Sequence, residues 1–525
     1  MFDYPSIAAM TEYISAKLEP AEADPVASTQ AVSPVEAVDV VGRSGHQYRA
    51  LATGITRSHQ GMLGDAGCSG LKTSDSIMTT PAERWDVDTS PAPAARYGSY
   101  LRDVAYFDSS VFQISRREAV LMDAQHRFIL EQSYETIHQH PSLGKHADTF
   151  GVYVGIASTD YGQNALKYTG PAVSVYSATG MQLSVAAGRL SYMFGLKGPS
   201  MSIDTACSSS LVAAHLGYGG LRSGVCSDAI VCGVAMHLSA FTTAMFKRAG
   251  MLAEDGRCKV LDSTADGYVR SESCGTLLLR HCESPGDDCS DGLVCSTSVN
   301  QDGRSSSLTA PNGPSQQQVM RSALRFVGSE GDSLRSLQMH GTGTSLGDPI
   351  EIGAACAVLG SGGADEASAG LLLAGVKSCC GHSEPAAGVT GMIQTLSAQS
   401  LRMSAPIMHL RSLNEHVVNV FELEGSRPAV PRQSAMWSTD DTVGDPLCYS
   451  SGVSSFAFQG TNAFAVLGGA VVAGARSLGE PSSASKGWRT ERYWYAPIAA
   501  ALCDSARADV SPAQSIVEVR LSQAR

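Results

Sequence analysis

The segment from Ser202 to Gly220 limits most sharply what this chain can fold into. A turn of small residues holding one thiol, Thr205-Ala206-Cys207-Ser208-Ser209-Ser210, runs straight into Leu211, Val212, Ala213, Ala214, Leu216, Gly217, Gly219 and Gly220. Such a sequence reads as a turn opening into a buried helix. Its small residues let neighbouring helices approach closely, besides filling the core in the ordinary way. The apolar runs Phe150 to Ile156 and Ala229 to Val234 read as buried strands, and glycine-punctuated turns separate them from helices.

A thiol at a helix N-terminus lies beside unpaired N–H groups and the positive end of the macrodipole. Both favour a thiolate, and the same donors can hold an oxyanion on a bound thioester. Cys207 is therefore a candidate acyl acceptor, although a cysteine among small apolar residues also serves as buried filler. Two glycine-rich segments follow, each with one histidine. His340 ends the alternating stretch Leu334 to Met339 and is followed by Gly341-Thr342-Gly343-Thr344 and by Asp348 and Glu351, which can open the next helix. The two glycines would let backbone approach a ligand closely. His382 lies in Val376-Lys377-Ser378-Cys379-Cys380-Gly381-His382-Ser383-Glu384-Pro385, where Ser383 can cap the helix that follows and Pro385 suits its first turn. The apolar Leu371, Leu372, Leu373 and Val376 place Lys377 at a buried strand end, where an ammonium needs a carboxylate or carbonyl partner. Taken singly, each histidine is compatible with a structural role; the three loops together point to one active site.

With these loops the chain resembles a β-ketoacyl synthase of the modular polyketide synthase type. The likeness is dense from about Pro81 to Leu467. It includes Ala82-Glu83-Arg84-Trp85, Met122-Asp123-Ala124-Gln125-His126-Arg127, Ala265-Asp266-Gly267-Tyr268-Val269-Arg270, Val299-Asn300-Gln301-Asp302-Gly303 and Gly460-Thr461-Asn462-Ala463. The resemblance implies an α/β, thiolase-like five-layer αβαβα fold built from two βαβαβ halves, at 38–295 and 296–470. It implies that Cys207 takes an acyl chain from a carrier protein's phosphopantetheine thiol. A malonyl-type extender then loses its carboxylate while His340 and His382 stabilise the enolate, and the carbanion attacks the thioester. Backbone N–H groups of Cys207 and a residue near Phe458 would hold the oxyanion. Phe456 and Phe458 would lie on the gating loop. Lys377, with Glu351 as acidic partner, would organise the histidine loop, and Thr342, Thr344 and Asn462 would meet substrate or phosphopantetheine. For Asp348 and Glu351, plain helix capping is an equal reading.

The family binds no metal or cofactor of its own in this domain. The resemblance implies an acyl carrier protein as partner; with no acyltransferase serine elbow in this sequence, extender loading is expected from a separate acyltransferase or from a further portion of the polypeptide, and homodimerisation is expected. A non-elongating acyl-transfer or scaffold module is the alternative function. A thiolase would use a second cysteine in place of the histidine pair.

Several places depart from the family pattern. Gly42 to Thr80 does not match, although Val38 to Val41 could form the first strand. Ala457 and Gln459 should stiffen the gating loop by restricting positive φ. Phe464 stands where a histidine is usual, and Cys379-Cys380 where Asn-Ile is usual. Residues 1–18 resemble the last helix of a carrier domain, 19–37 read as a linker, and 471–525 as a tail with an aromatic linker motif at Gly487 to Tyr495.

The net charge of -12 argues against nucleic acid or an anionic membrane as partner. A carrier would need a local basic patch, for which Arg116, Arg117 and Arg127 are candidates, although ordinary surface charge is the simpler reading. No apolar run is long enough to span a membrane. The 14 cysteines show no metal-ligand spacing or secreted disulfide frame. A reducing compartment is expected, cytoplasmic or, as an open option, plastidial.

Overall fold

The computed structural model describes residues 48–55, 74–88, 96–138, 147–169, 174–281, 292–327, 334–359, 371–425, 428–436, 450–469 and 491–493. The carrier-like helix at 1–18, the linker at 19–37 and the candidate strand at Val38 to Val41 lie outside them. Among the described residues ten strands form one sheet: β1 (Tyr48–Ile55), β2 (Phe150–Ile156), β3 (Ser200–Ile203), β4 (Asp228–Ala235), β5 (Ser273–His281), β6 (Gly292–Gln301), β7 (Ser336–Gln338), β8 (Leu372–Ala374), β9 (Ser451–Phe456) and β10 (Thr461–Gly469). Their spatial order is β8-β7-β9-β10-β6-β1-β5-β4-β2-β3.

That order is one plan used twice. In the first set β2 pairs in parallel with β3 and β4, β4 pairs antiparallel with β5, and β5 with β1. In the second, β7 pairs in parallel with β8 and β9, β9 antiparallel with β10, and β10 with β6. The two sets join only where Tyr48 to Ala50 of β1 runs antiparallel to Gly292 to Val294 of β6. The first described strand is Tyr48–Ile55. With only Tyr48, Leu51 and Ile55 as large apolar residues, it offers little pattern to read.

Helices complete five layers. Outside the first set lie α1 (Ala124–His138), against β1, β4 and β5, and α2 (Val185–Phe194), against β2 and β3. Between the sets lie α3 (Ser209–Arg222) and α6 (Ala387–Leu401), which touch each other and strands of both sets. Outside the second set lie α4 (Gly313–Val327), against β6 and β10, and α5 (Gly347–Leu359), packed on α4. Three buried apolar clusters fill the spaces, the central one built from Tyr153, Leu211, Val231, Val389, Met392 and their neighbours.

The small residues of α3 divide its contacts differently from the expectation. The two central helices approach closely at Gly388, where a Cβ would lie 2.6 Å from the Leu211 backbone nitrogen. Gly217 and Gly220 face the sheet, against Val231 and Tyr153, and Gly219 has open space beside it. Phe464, in place of a polar ring, is fully buried in the second cluster.

Arg127 is no surface cation. It is 1% exposed, donates to the Met122 and Tyr493 carbonyls and the Tyr161 hydroxyl, and so holds part of the tail in place. Glu491–Arg492 pairs with Tyr106–Phe107, and the Tyr493 hydroxyl bonds Ser109 at 2.7 Å. Arg116 and Arg117 are exposed. Among the described residues no helix is long and apolar enough to cross a membrane, and the cysteines are free thiols.

Candidate active site

Strand β3 ends at Ile203, and the chain turns through Ala206–Ser208 into α3. Ala206 takes φ +54°, a left-handed conformation that costs on the order of 1–3 kcal/mol. Local bonds hold it there. The Ala206 N–H donates to Asp204 Oδ1 at 3.0 Å, while the Ser209 hydroxyl accepts from the Thr205 N–H at 2.8 Å and donates to the Ala206 carbonyl at 2.6 Å. From the second half, the Ser455 hydroxyl donates to the Cys207 carbonyl at 2.7 Å. The result presents Cys207, a residue 8% exposed, to the loops that carry the histidines.

His340 follows β7. Its loop is fastened by two carboxylates of α5: Glu351 accepts from the N–H groups of His340 and Gly341 at 2.7 and 2.8 Å, and Asp348 from those of Thr342 and Gly343, both at 3.1 Å. These acids neither cap their helix with their side chains nor reach the histidine rings; they position the loop. The positive φ of Gly341 and Gly343 serves the protein's own packing, since a Cβ on Gly343 would lie 2.6 Å from the Lys259 nitrogen. The Phe456 N–H donates to His340 Nδ1 at 3.3 Å.

His382 is laced to residues 269–271, donating its N–H to the Val269 carbonyl at 2.7 Å and accepting from the Ser271 N–H at 2.9 Å. The Glu384 N–H donates to His382 Nδ1 at 3.3 Å, and Nε2 lies 3.0 Å from Cys207 Sγ. Each histidine therefore receives a backbone N–H at Nδ1. This assigns the proton of the neutral ring to Nε2 in both. The two rings meet edge to face, centroids 5.4 Å apart, and Tyr268 packs edge-on against His382 at 5.0 Å.

Burial dominates the electrostatics. It pushes the Cys207 thiol up to about 12, with the Glu384 charge adding to the effect; Lys377 and the backbone N–H groups of Phe458 and Cys207 pull the other way. Desolvation of the sulfur thus opposes the thiolate that a helix terminus favours. Burial, then the Lys377 charge, brings His382 down to about 3 and holds His340 well below the usual histidine value. Both imidazoles are neutral at physiological pH. Burial also raises Glu351 to about 7 and Asp348 to about 6, and lowers Lys377.

Lys377 is buried at the start of the short helix Lys377–Cys380. No direct ion pair joins it to Glu351, whose two oxygens are taken by the His340 loop; the two charges act on each other through the field alone. The Phe458 backbone N–H favours the Cys207 anion while the residue itself is exposed, whereas the Phe456 N–H serves His340. The Thr342 and Thr344 hydroxyls lie 3.3 Å apart beside His340. Asn462 stands apart from this group. Its amide nitrogen faces Asn300 Oδ1, Asp302 Oδ1 and the Gly460 carbonyl, and so braces the β9–β10 turn. In that turn the positive φ falls on Gly460 alone, leaving Ala457 and Gln459 unstrained, and the Gln301 side chain donates to the Gln459 carbonyl at 2.8 Å. Ser383 makes no cap; its hydroxyl faces Thr390. Pro385 does sit in the first turn.

Sequence reasoning did not single out Ser455, Tyr268, Arg270 or Glu384. Tyr268 and Arg270 stand in a motif quoted for the resemblance, and Glu384 lies two residues past His382, so position was the available signal. Among the described residues no cluster of His, Cys, Asp and Glu is arranged to hold a metal ion.

Comparison with known proteins gives matches along most of the described chain. Residues 69–284 match the β-ketoacyl synthase N-terminal domain and residues 292–411 the β-ketoacyl synthase C-terminal domain. The mycoketide-CoA synthase of Mycobacterium tuberculosis is 39% identical over 423 residues, 77% of this chain and 10% of that protein. Polyketide synthase GfsB of Streptomyces halstedii is 36% identical over 501 residues, 92% of this chain and 8% of that protein. The chain thus spans only a small part of the length of these relatives. Among solved structures, the ketosynthase from module 6 of the bacillaene synthase of Bacillus subtilis 168 superposes with a TM-score of 0.68 at 32% identity, covering 81% of this chain and 71% of that one.

Proposed function

The chain belongs to the β-ketoacyl synthase family, and from that premise we propose that it joins an acyl chain carried on Cys207 to a malonyl-type extender by decarboxylative condensation. The observation that carries this reading is the pair of histidines, both with Nδ1 occupied by a backbone N–H, the Nε2 of His382 lying 3.0 Å from Cys207 Sγ. Two neutral N–H donors suit an enolate because they respond only as charge develops.

In the loading step, Cys207 attacks the carrier thioester. Its proton passes to the departing phosphopantetheine sulfur, so the exchange is proton-neutral and needs no resting thiolate. In the second step the carbon–carboxylate bond of the extender breaks. Its electrons form an enolate held by His340 and His382, and carbon dioxide leaves. The enolate carbon attacks the thioester on Cys207, and the tetrahedral oxyanion takes the N–H groups of Cys207 and Phe458. Collapse expels the Cys207 sulfur, which regains a proton from solvent. Burial, with the Lys377 charge adding to it, keeps both imidazoles neutral. Thr342 and Thr344 would meet the phosphopantetheine arm.

The partners in this reading are an acyl carrier protein and a separate acyltransferase that supplies the extender, in the cytoplasm. A second copy would pair along β3, which ends the sheet and leaves Met201 exposed. The test mixes the protein with a short acyl thioester and a malonyl-loaded carrier and reads both proteins by intact mass, with Cys207→Ala as control. An elongated β-ketoacyl carrier, absent with Cys207→Ala, is the expected result. Acyl on Cys207 without elongation would instead support the transfer-module reading.

A further inference from the structure

Behind His382 lies a buried charge pair that touches neither the sulfur nor His340. Arg270 Nε and Nη2 donate to the two oxygens of Glu384 at 2.6 and 2.9 Å, a bidentate bond between side chains 4% and 13% exposed. The third nitrogen, Nη1, donates to Thr243 Oγ1 at 2.9 Å, and the guanidinium lies over the Phe246 ring at 5.1 Å. Both contacts come from the helix Ala240–Arg248. Arg270 is therefore held on several sides, and Glu384 is held by Arg270.

Two facts make this pair more than packing. Glu384 takes φ +44°, a conformation an L-residue keeps only when its surroundings impose it. The N–H of that same residue is the donor to His382 Nδ1. Arg270 also bridges the His382 backbone, its two neighbours bonding the His382 N–H and carbonyl. The backbone that carries the guanidinium thus aligns the histidine, and the guanidinium fixes the carboxylate whose amide selects the ring's tautomer.

We propose that Arg270 and Glu384 are positioning residues for the condensation step: their ion pair holds the Glu384 amide on His382 Nδ1 and so keeps the Nε2 proton aimed at the reacting atoms. This deepens the elongation reading and rests on it. Without the pair, Glu384 is free to relax to negative φ, its amide leaves Nδ1, and the proton can reside on either nitrogen. Loading of Cys207 needs no His382 proton and is spared.

The experiment compares wild type, Glu384→Gln, Arg270→Gln, Arg270→Lys and His382→Ala for loading, condensation, melting temperature and the rate of Cys207 alkylation at pH 8. Condensation turnover should fall between about tenfold and about a hundredfold in Glu384→Gln and Arg270→Gln, short of losing a whole donor, with loading and carrier KM unchanged. Arg270→Lys should not restore it, because an ammonium cannot bond both oxygens. Alkylation of Cys207 should be faster in Glu384→Gln, since a negative charge that opposes the thiolate is gone; loosened packing alone would not require that. Condensation equal to wild type in both Gln variants overturns the assignment. So does a joint fall of loading, condensation and melting temperature, which would make the pair a packing element. A wild-type protein that loads but never elongates fails the parent reading and carries this one down with it.

Discussion

At Cys207 opposite effects meet on one atom: a helix N-terminus and Lys377 stabilise the anion, while burial and Glu384 oppose it, and burial wins. The thiolate fraction should then climb through the whole accessible range. Iodoacetamide labelling, followed at the Cys207 peptide by mass, is expected to quicken about tenfold per pH unit from pH 7 to 10 with no plateau; a plateau near neutrality would mean that the dipole prevails. Cys207, His340 and His382 were legible as residues because each sits in a glycine- or serine-rich turn next to an apolar run. The bracing role of Asn462 was not. A side chain's partners depend on which strands lie beside it, and Asn300 and Asp302, 160 or more positions upstream, took its nitrogen. The same blindness hid Ser455, whose bond to the Cys207 carbonyl spans 248 positions.

Among elements, the contact between α3 and α6 is set by an absent side chain. Gly388→Ala would drive a methyl into the Leu211 backbone and is expected to lower stability by about 1–3 kcal/mol. Gly219→Ala, in the same class of substitution on α3, meets nothing and should raise stability by up to about 1 kcal/mol. Chemical denaturation of the two variants separates them, and equal effects would remove the argument. Phe150–Ile156 was readable to the residue, since a strand buried on both faces is apolar throughout. The three-residue strands Ser336–Gln338 and Leu372–Ala374 were visible only as apolar approaches to their loops. The glycine stripe of α3 announced close packing without saying against what, because helix and sheet neighbours make the same demand for small residues.

In the molecule as a whole, buried thiols set an alkaline limit. Burial raises Cys207, Cys258 and Cys295 to about 12 and Cys232 to about 11, from an ordinary value of 9.0. The unfolded chain releases these protons first. Stability is therefore fully present below pH 9.0 and declines as pH rises towards the folded values. Melting temperature should hold between pH 7 and 8 and drop steadily above 9; a flat profile to pH 10.5 would contradict it. The five layers followed from family likeness, and the repeated strand order became visible only in the sheet. That repetition has a further meaning. Cys207 follows the third strand of its half, β3, and precedes α3; His382 follows the third strand of its half, β8, and precedes α6. The helical turns at the two elbows touch. They are equivalent stations about an approximate twofold axis, and a strict twofold, as in a dimer of identical halves, would set like against like: sulfur facing sulfur, or imidazole facing imidazole. A nucleophile 3.0 Å from a proton donor is available here because both copies of the plan lie in one chain, where each has been free to carry a different residue at the axis.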